Sequence, residues 1–243
     1  MRIVGFAILP AVLLLSAGGS DAAEGGSPNG PENSGDDIAT PDDDINDIDD
    51  IRKGVASAMN EVTSLRADGT FVENGQAMTI DLAMAESGNC EGTMSLEGEG
   101  SVELIVVDGD GYMKPDEQFW REFGGSDADA IIDLIGDRWV TESGEMASVV
   151  DACNWEELAG EWGEENSDFI EVTGTGEVDG QETVIVTFES DEGSMGEAHV
   201  LASKPHYVVK MEVEQEGEIT FSDFNEAVDP EIPTDVFDFA DVQ

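Results

Sequence analysis

The sequence has few of the residues on which most enzyme active sites depend. It contains two histidines, two cysteines and nine lysines and arginines in 243 residues. It lacks the Gly-x-Ser-x-Gly, His-Glu-x-x-His and Cys-x-x-Cys patterns, as well as a phosphate-binding glycine loop with lysine. Gly174-Thr175-Gly176 precedes a predicted strand rather than a helix, which excludes a dinucleotide fingerprint. We therefore expect no catalysis and no cofactor.

Positive charge is almost absent. The chain has 57 Asp and Glu against 9 Lys and Arg, a net charge of -48, and the acids are spread along the whole predicted domain rather than held in one tail. Nucleic acids and anionic lipid headgroups are poor partners for such a surface. An even acidic coat favours adaptation to concentrated salt, because the Debye length falls to about 3 Å at 1 M. A polyanionic surface that collects cations is the alternative.

No acidic cluster has the arrangement of a metal site. Asp108 begins DGDGYMKPDEQF, which resembles the start of a calcium-binding loop, but Tyr112 and Phe119 stand at the fifth and twelfth positions, where oxygen ligands are needed. Asp and Gly between two strand patterns predict a hairpin turn instead. The aspartates of residues 42–50 are expected to line the solvated face of a helix. We predict no metal.

The N-terminal residues predict export. Residues 1–19 combine Arg2, a short apolar run and small residues, which is the pattern of a signal peptide. Residues 20–40 are rich in Gly, Ser, Pro and acids and are expected to form a disordered linker before a single domain, residues 41–243. Because exported proteins meet oxidising conditions, Cys90 and Cys153 are predicted to form a disulfide. Two separate buried thiols are the alternative.

The leading segment of the domain is predicted to be a long helix. Thr40 can cap it, Pro41 suits its first position, and Gly54 is expected to bend or split it. Apolar residues recur at steps of three and four, as on one helical face. They are Ile45, Ile48, Ile51, Val55, Ala58, Met59, Val62 and Leu65.

Strand patterns occupy most of the remaining chain. Residues 77–84, AMTIDLAM, alternate between apolar and polar side chains, whereas residues 102–107, VELIVV, are apolar at both parities. Five further strands are predicted at residues 169–173, 183–189, 198–202, 207–213 and 219–221. His199 has the parity opposite to its apolar neighbours and is expected to face solvent. Between these halves, Pro115 is predicted to open one helix, Ser126 to cap a second and Asn154 to cap a third, which bears Trp155, Leu158 and Trp162.

These patterns predict an α+β fold, a large curved antiparallel sheet in the form of a half-barrel with helices over its concave face. Such a face either is filled by side chains or encloses a ligand. The apolar pocket candidates are Met78, Leu82, Met84, Met94, Leu104, Trp120, Phe123, Ile131, Leu134 and Ile135. Methionines suit adaptable apolar pockets, although a filled core explains the same pattern.

Several short phrases resemble those of the LppX/LprG-type lipoproteins of actinobacteria, whose fold is similar to that of the lipoprotein carrier LolA. They are TSLRA at residues 63–67, VDG at 107–109, YMK at 112–114, FW at 119–120, GDRWV at 136–140, VDG at 178–180 and FSDF at 221–224, within residues 51–242. The resemblance implies a half-barrel whose cavity takes the acyl chains of envelope lipids, and it brings no catalytic residues. Members usually carry a lipid on a cysteine that closes the signal peptide, where this chain has Gly19.

The sequence therefore predicts a monomeric, non-catalytic, extracytoplasmic protein, secreted or associated with the cell envelope, that binds or carries a hydrophobic ligand such as a lipid. The alternative is a cell-surface protein of the same fold whose core is filled and which contacts other envelope proteins or the membrane surface. An enzyme is the third possibility. Gly19 puts a lipid anchor in doubt, because a thioether lipid requires a thiol.

Overall fold

A computed structural model describes residues 47–73, 75–141, 151–155, 169–189 and 193–238. The predicted signal peptide, the linker, the helix start at Thr40 and most of the helix predicted after Asn154 lie outside these residues. The described chain has three α-helices, α1 (Ile48–Met59), α2 (Glu117–Phe123) and α3 (Ala128–Ile135). None of these helices is long and apolar enough to cross a bilayer.

All twelve described strands belong to one sheet. In chain order they are β1 (Ser64–Glu73), β2 (Gln76–Ala85), β3 (Cys90–Leu96), β4 (Gly100–Val107), β5 (Asp110–Pro115), β6 (Trp139–Thr141), β7 (Val172–Val178), β8 (Gln181–Glu189), β9 (Met195–Leu201), β10 (Val208–Val213), β11 (Gly217–Ser222) and β12 (Val236–Phe237). Their spatial order is β12-β6-β5-β4-β3-β2-β1-β11-β10-β9-β8-β7.

The sheet is open and antiparallel, except that the short β12 runs parallel to β6. Strands β1 to β5 and β7 to β11 form two meanders, and the pairing of β1 with β11 joins them in the middle of the sheet. Helices α2 and α3 follow the first meander and precede β6. This confirms the predicted fold class, with a helical insertion between the two halves of one large sheet.

Helix α1 is shorter than its apolar pattern predicts. Asp47 caps it by accepting a hydrogen bond from the backbone N–H of Asp49 at 2.9 Å. The helix ends at Met59, and Leu65 lies in β1 opposite Met84, so the last step of the apparent helical stripe belongs to a strand. Gly54 does not split α1, since the helix is continuous through it.

The insertion differs from its predicted boundaries. Pro115 ends β5, and Asp116 rather than Pro115 precedes α2 as its cap. Ser126 lies within a 3-10 turn, Gly125–Asp127, and α3 begins at Ala128 without a side-chain cap bond. A proline at the end of a strand loses only one ladder donor, whereas the Asp116 carboxylate can satisfy the first N–H groups of the helix.

One turn prediction and one strand prediction have different outcomes. The turn at Asp108-Gly109 is confirmed, with φ of 53° and 86°, positive values at both central residues that are typical of a type I′ turn. The strand predicted at residues 169–173 is displaced, because β7 runs from Val172 to Val178. It includes Gly174 and Gly176, residues that are more typical of a loop than of a strand. Pairing of Gly174 and Gly176 with β8 outweighs their low strand propensity.

The predicted disulfide is confirmed. Cys90 in β3 is bonded to Cys153 in the 3-10 turn Asp151–Cys153, with 5.8 Å between their Cα atoms, and both residues are buried. Cys90 pairs with Met84 and Val106 on its two neighbouring strands. The bond therefore fixes the turn against the side of the sheet on which these apolar residues lie.

Two glycines allow the central strands to approach one another. Gly92 in β3 has φ of 153° and Gly217 in β11 has φ of 120°. A Cβ atom on Gly92 would collide with the carbonyl oxygen of Asp81, and one on Gly217 with that of Thr70. A side chain at either position would force neighbouring strands apart, so these glycines set the local course of the sheet.

Candidate apolar ligand site

One side of the sheet is apolar from β5 to β8. Residues paired across antiparallel strands point to the same side, so the register identifies its members. We call this side the apolar face. It comprises Leu65, Ala67, Phe71, Met78, Ile80, Leu82, Met84, Cys90, Met94, Leu96, Val102, Leu104, Val106, Met113, Val184, Val186, Phe188, Ala198, Val200, Met211, Val213, Ile219 and Phe221.

The opposite side of the sheet carries polar and charged side chains. Lys210 contacts Glu212 and Glu218, and hydrogen bonds to these carboxylates raise the pKa of the Lys210 ammonium. Hydrogen bonding to Lys210 in turn lowers the pKa of Glu212. His199 is on this side, as its parity predicts, with Nδ1 3.2 Å from the hydroxyl of Thr183. The sheet is therefore amphipathic, and its apolar side must be covered or occupied.

One part of the apolar face is fully covered. Leu82, Met84 and Leu104 are buried in the same cluster as Ile51 and Val55 of α1. Three of the predicted pocket residues therefore belong to the buried core. Their side chains pack against other side chains, as a filled core requires.

Another part of the apolar face is only half covered. Met94, Met78, Phe71, Ile219 and Met211 lie on five adjacent strands, β3, β2, β1, β11 and β10, and each remains partly exposed. We call these five residues the half-covered strip. With strands about 4.8 Å apart, the strip is roughly 19 Å long, comparable to an extended long acyl chain.

The middle of the strip carries little side-chain volume. Gly69 pairs with Ile80 on one side and with Ile219 on the other, so the face has no side chain at that position. Gly217, which pairs with Phe71, leaves a second such position. Four of the five strip residues are methionine or phenylalanine, and methionine adapts readily to irregular neighbours.

Helix α2 begins over one end of this region. Gly100 of β4 lies directly beneath its first turn, because a Cβ there would collide with the backbone N of Phe119. Gly100 pairs with Leu96, which pairs with Met78 of the strip. Phe119 and Trp120 are both buried and meet edge to face, with ring centroids 5.6 Å apart. Trp120 thus joins the core at the α2 end of the apolar face.

The helical pocket candidates are divided between inside and outside. Ile135 is buried and Ile131 partly buried, whereas Leu134 is 46% and Phe123 40% exposed. Successive helix positions differ by about 100°, so α3 cannot turn both Leu134 and Ile135 inward. The structure therefore places Leu134 and Phe123 outside the buried cluster, and contact of either with a ligand stays a prediction.

Sequence reasoning did not include Phe71, Met211 and Ile219 among the pocket candidates. Each has the apolar parity of its strand, which is a usable signal. Their proximity to Met78 and Met94 depends on the pairing of β1 with β11, two strands whose paired residues are about 150 positions apart in the chain. Local alternation indicates which side a residue faces but gives no information on this distant pairing.

The apolar face offers hydrocarbon contact rather than chemistry. Its only titratable residue type is cysteine, and Cys90 is bonded to Cys153. Among the described residues, no three metal-ligating side chains lie together. Lys114, on the opposite side, contacts Glu103 and Asp137, and its hydrogen bond to Asp137 raises the pKa of its ammonium.

No family model matches the sequence, and no curated protein is similar to it. The fold is similar to that of LprF from Mycobacterium bovis, with a TM-score of 0.50 and 14% sequence identity over 76% of this chain and 96% of LprF. The chain has the LprF fold. The Mycobacterium tuberculosis lipoprotein LppX is also similar, with a TM-score of 0.46 and 16% identity over 75% of this chain and 97% of LppX. The resemblance inferred from short phrases is confirmed at the level of fold.

Proposed function

We propose that this protein binds or carries a hydrophobic lipid ligand outside the cytoplasm and that it is not an enzyme. The observation that supports this most is the half-covered strip. Five apolar side chains on adjacent strands lie partly exposed beside two glycines, on the side of the sheet that the helices partly cover. A partly exposed apolar strip of this kind gains free energy when a chain of methylene groups covers it, by about 0.8 kcal/mol for each CH₂ removed from water.

The proposed location rests on two features of the chain. The Cys90–Cys153 disulfide suits an oxidising environment, and the first 19 residues have the composition of a signal peptide. We place the protein in the cell envelope or among secreted proteins, without a thioether lipid at Gly19. Its acidic surface would keep it apart from anionic headgroups, so a ligand would be taken up through its apolar chain.

A first test is a substitution within the strip. Met94→Trp adds volume to the apolar face of β3, whereas Thr93→Trp adds the same side chain to the adjacent, exposed position on the opposite face. We expect the wild-type protein and Thr93→Trp to take up 1,6-diphenylhexatriene at micromolar concentration. Met94→Trp should remain folded and lose most of this fluorescence, because its indole covers part of the half-covered strip.

A filled core gives the opposite pattern. Met94→Trp would then overpack the sheet and cost about 1–3 kcal/mol of stability, while the wild-type protein took up no probe. That result would overturn the carrier function in favour of a surface protein of the same fold that contacts other proteins. Mass spectrometry of organic extracts from protein purified out of its native envelope would identify the ligand.

A further inference from the structure

Trp120 carries a buried donor that the fold does not use. The residue is 6% exposed, and its indole Nε1 is inaccessible to solvent. No described residue accepts a hydrogen bond from this N–H. Its ring is held edge to face by Phe119, whose own ring contacts Phe123 at 4.5 Å between centroids. The indole thus packs against an aromatic ring while its N–H has no acceptor among the described residues.

Buried polar groups in native proteins are nearly always hydrogen-bonded, and each exception requires an explanation. Phenylalanine, which has no polar atom, occupies the two neighbouring aromatic positions of α2, 119 and 123. An indole at position 120 introduces a desolvated N–H among these hydrocarbon side chains. This cost is offset when an acceptor enters the same environment, because a hydrogen bond is stronger in a medium of low dielectric constant.

The position of Trp120 indicates which atom of a ligand would accept a hydrogen bond from the indole N–H. Helix α2 begins over Gly100. Across the strands, Gly100 pairs with Leu96, Leu96 with Met78, and Met78 with Phe71. A ligand chain lying along the half-covered strip would bring one of its ends towards α2. Lipid chains lack acceptors along their length but carry oxygen atoms at the end where they are esterified or ionised.

We propose that Trp120 is a specificity-determining residue whose Nε1–H donates a hydrogen bond to the acyl carbonyl oxygen of the bound lipid. This inference rests on the proposed function and adds a recognition contact to it, one that an acyl lipid can make and that a hydrocarbon or an isoprenoid without oxygen cannot. The acyl oxygen belongs either to an ester or to a free carboxylate. We expect the ester to bind more tightly, because the net charge of -48 opposes an anionic ligand.

The test compares probes with and without an acyl oxygen. Methyl parinarate and parinaric acid are fluorescent acyl chains, whereas 1,6-diphenylhexatriene is a fluorescent hydrocarbon. Trp120→Phe keeps an aromatic ring and removes the N–H. We expect it to weaken methyl parinarate binding about 3- to 10-fold, as for the loss of one hydrogen bond, and to leave diphenylhexatriene binding unchanged. Trp155→Phe, at another buried tryptophan, is the matched control and should change neither affinity.

A second measurement uses the unaltered chain. The protein has four tryptophans, and Trp120→Phe assigns the ¹⁵N–¹H indole resonance of residue 120 among them. Methyl parinarate should move this resonance downfield, as formation of a hydrogen bond does, while diphenylhexatriene should leave its proton shift near the ligand-free value. The comparison does not depend on the stability of a variant.

The outcomes separate this inference from the proposed function. If the wild-type protein binds neither probe, both proposals fall. If it binds both probes and Trp120→Phe weakens them equally, or if the ester leaves the Trp120 indole resonance unchanged, only the role of Trp120 falls. If Trp120→Phe weakens the binding of parinaric acid more than that of its methyl ester, the acyl oxygen is still the acceptor, and it belongs to a free fatty acid.

Discussion

At the scale of single residues, Gly54 and His206 determine how α1 meets the second meander. The His206 ring is buried, and its Nδ1 donates to the carbonyl oxygen of Leu201 at 2.9 Å. A Cβ atom on Gly54 would lie 2.8 Å from Cδ2 of this ring, closer than packed side chains tolerate. Glycine is therefore present in the middle of α1 because the ring occupies the space of a side chain, and not in order to bend the helix.

This contact predicts an inverted effect of a helix-favouring substitution. In an unobstructed helix, alanine is better than glycine by about 1 kcal/mol. Gly54→Ala should instead destabilise the protein by about 1–3 kcal/mol, because the methyl group overpacks against His206. Urea denaturation of the single variant measures the effect.

The double variant with His206→Ala provides the control. Removal of the ring opens the space, so Gly54→Ala should be neutral or stabilising in that background. Stabilisation by Gly54→Ala while His206 is intact would show that the ring yields and that the glycine has another role.

At the scale of elements, Asp116 joins the start of α2 to the start of β4. Its Oδ1 accepts from the Phe119 N–H at 2.8 Å, and its Oδ2 accepts from the N–H and hydroxyl of Ser101 at 3.0 and 2.9 Å. Partial burial acts to raise the pKa of Asp116, but these hydrogen bonds outweigh it and lower that pKa below its usual value. The ionised carboxylate thus holds α2 over Gly100, beside the proposed ligand groove.

We predict that Asp116→Ala lowers stability by about 0.5–2 kcal/mol, as the loss of a helix cap does. Because the folded-state pKa is depressed, the contribution is present above the unfolded-state value near 3.9 and is lost as pH falls through the folded-state value. The difference in unfolding free energy between wild type and Asp116→Ala should therefore be constant at neutral pH and shrink below about pH 4. Denaturant titrations from pH 3 to 7 measure it, with exposed Asp110→Ala as the control.

A difference that persists unchanged to pH 3 would mean that the protonated carboxyl caps α2 as well as the carboxylate does. In that case charge has no part in the contact, and the hydrogen-bonding geometry alone accounts for the loss in Asp116→Ala.

Elements also show where sequence prediction succeeds and where it fails. Alternation identified β2, whose apolar residues lie at every second position, and a run that is apolar at both parities identified β4. It missed most of β7, whose glycines pack against β8 and contribute little side-chain signal. It could not orient α3, since four of the eight residues of ADAIIDLI are bulky and apolar and only packing shows that Ile135, not Leu134, is inside.

At the scale of the whole molecule, the fold class followed from strand patterns while the candidate groove did not. The meanders are local, so the chain order predicts most of their pairings. The half-covered strip arises where β1 meets β11, a pairing that joins the two meanders in the middle of the sheet. Met78 and Met94 could be named from parity, but their neighbours Ile219 and Met211 require this pairing, which has no local signature.

The surface charge is a property of the whole chain. The chain has 57 acidic and 9 basic residues, and Lys114 contacts two carboxylates at once, those of Glu103 and Asp137. Folding concentrates the remaining negative charge on a smaller surface, which opposes the compact state. Ionic strength weakens this repulsion, because salt shortens the distance over which exposed charges act.

We predict that salt stabilises the folded protein without ion specificity. The melting temperature should rise by at least about 5 °C between 0.05 M and 2 M NaCl, equivalent to roughly 1–2 kcal/mol for a domain of this size, and KCl should act equally because screening depends on charge alone. A variant in which the exposed Glu91, Glu97, Glu182 and Glu214 are replaced by glutamine should melt higher at low salt and respond less. Calorimetry of both proteins across the series measures these slopes. A flat response would contradict the prediction, and recovery of stability by micromolar calcium at low salt would replace screening with a specific cation site.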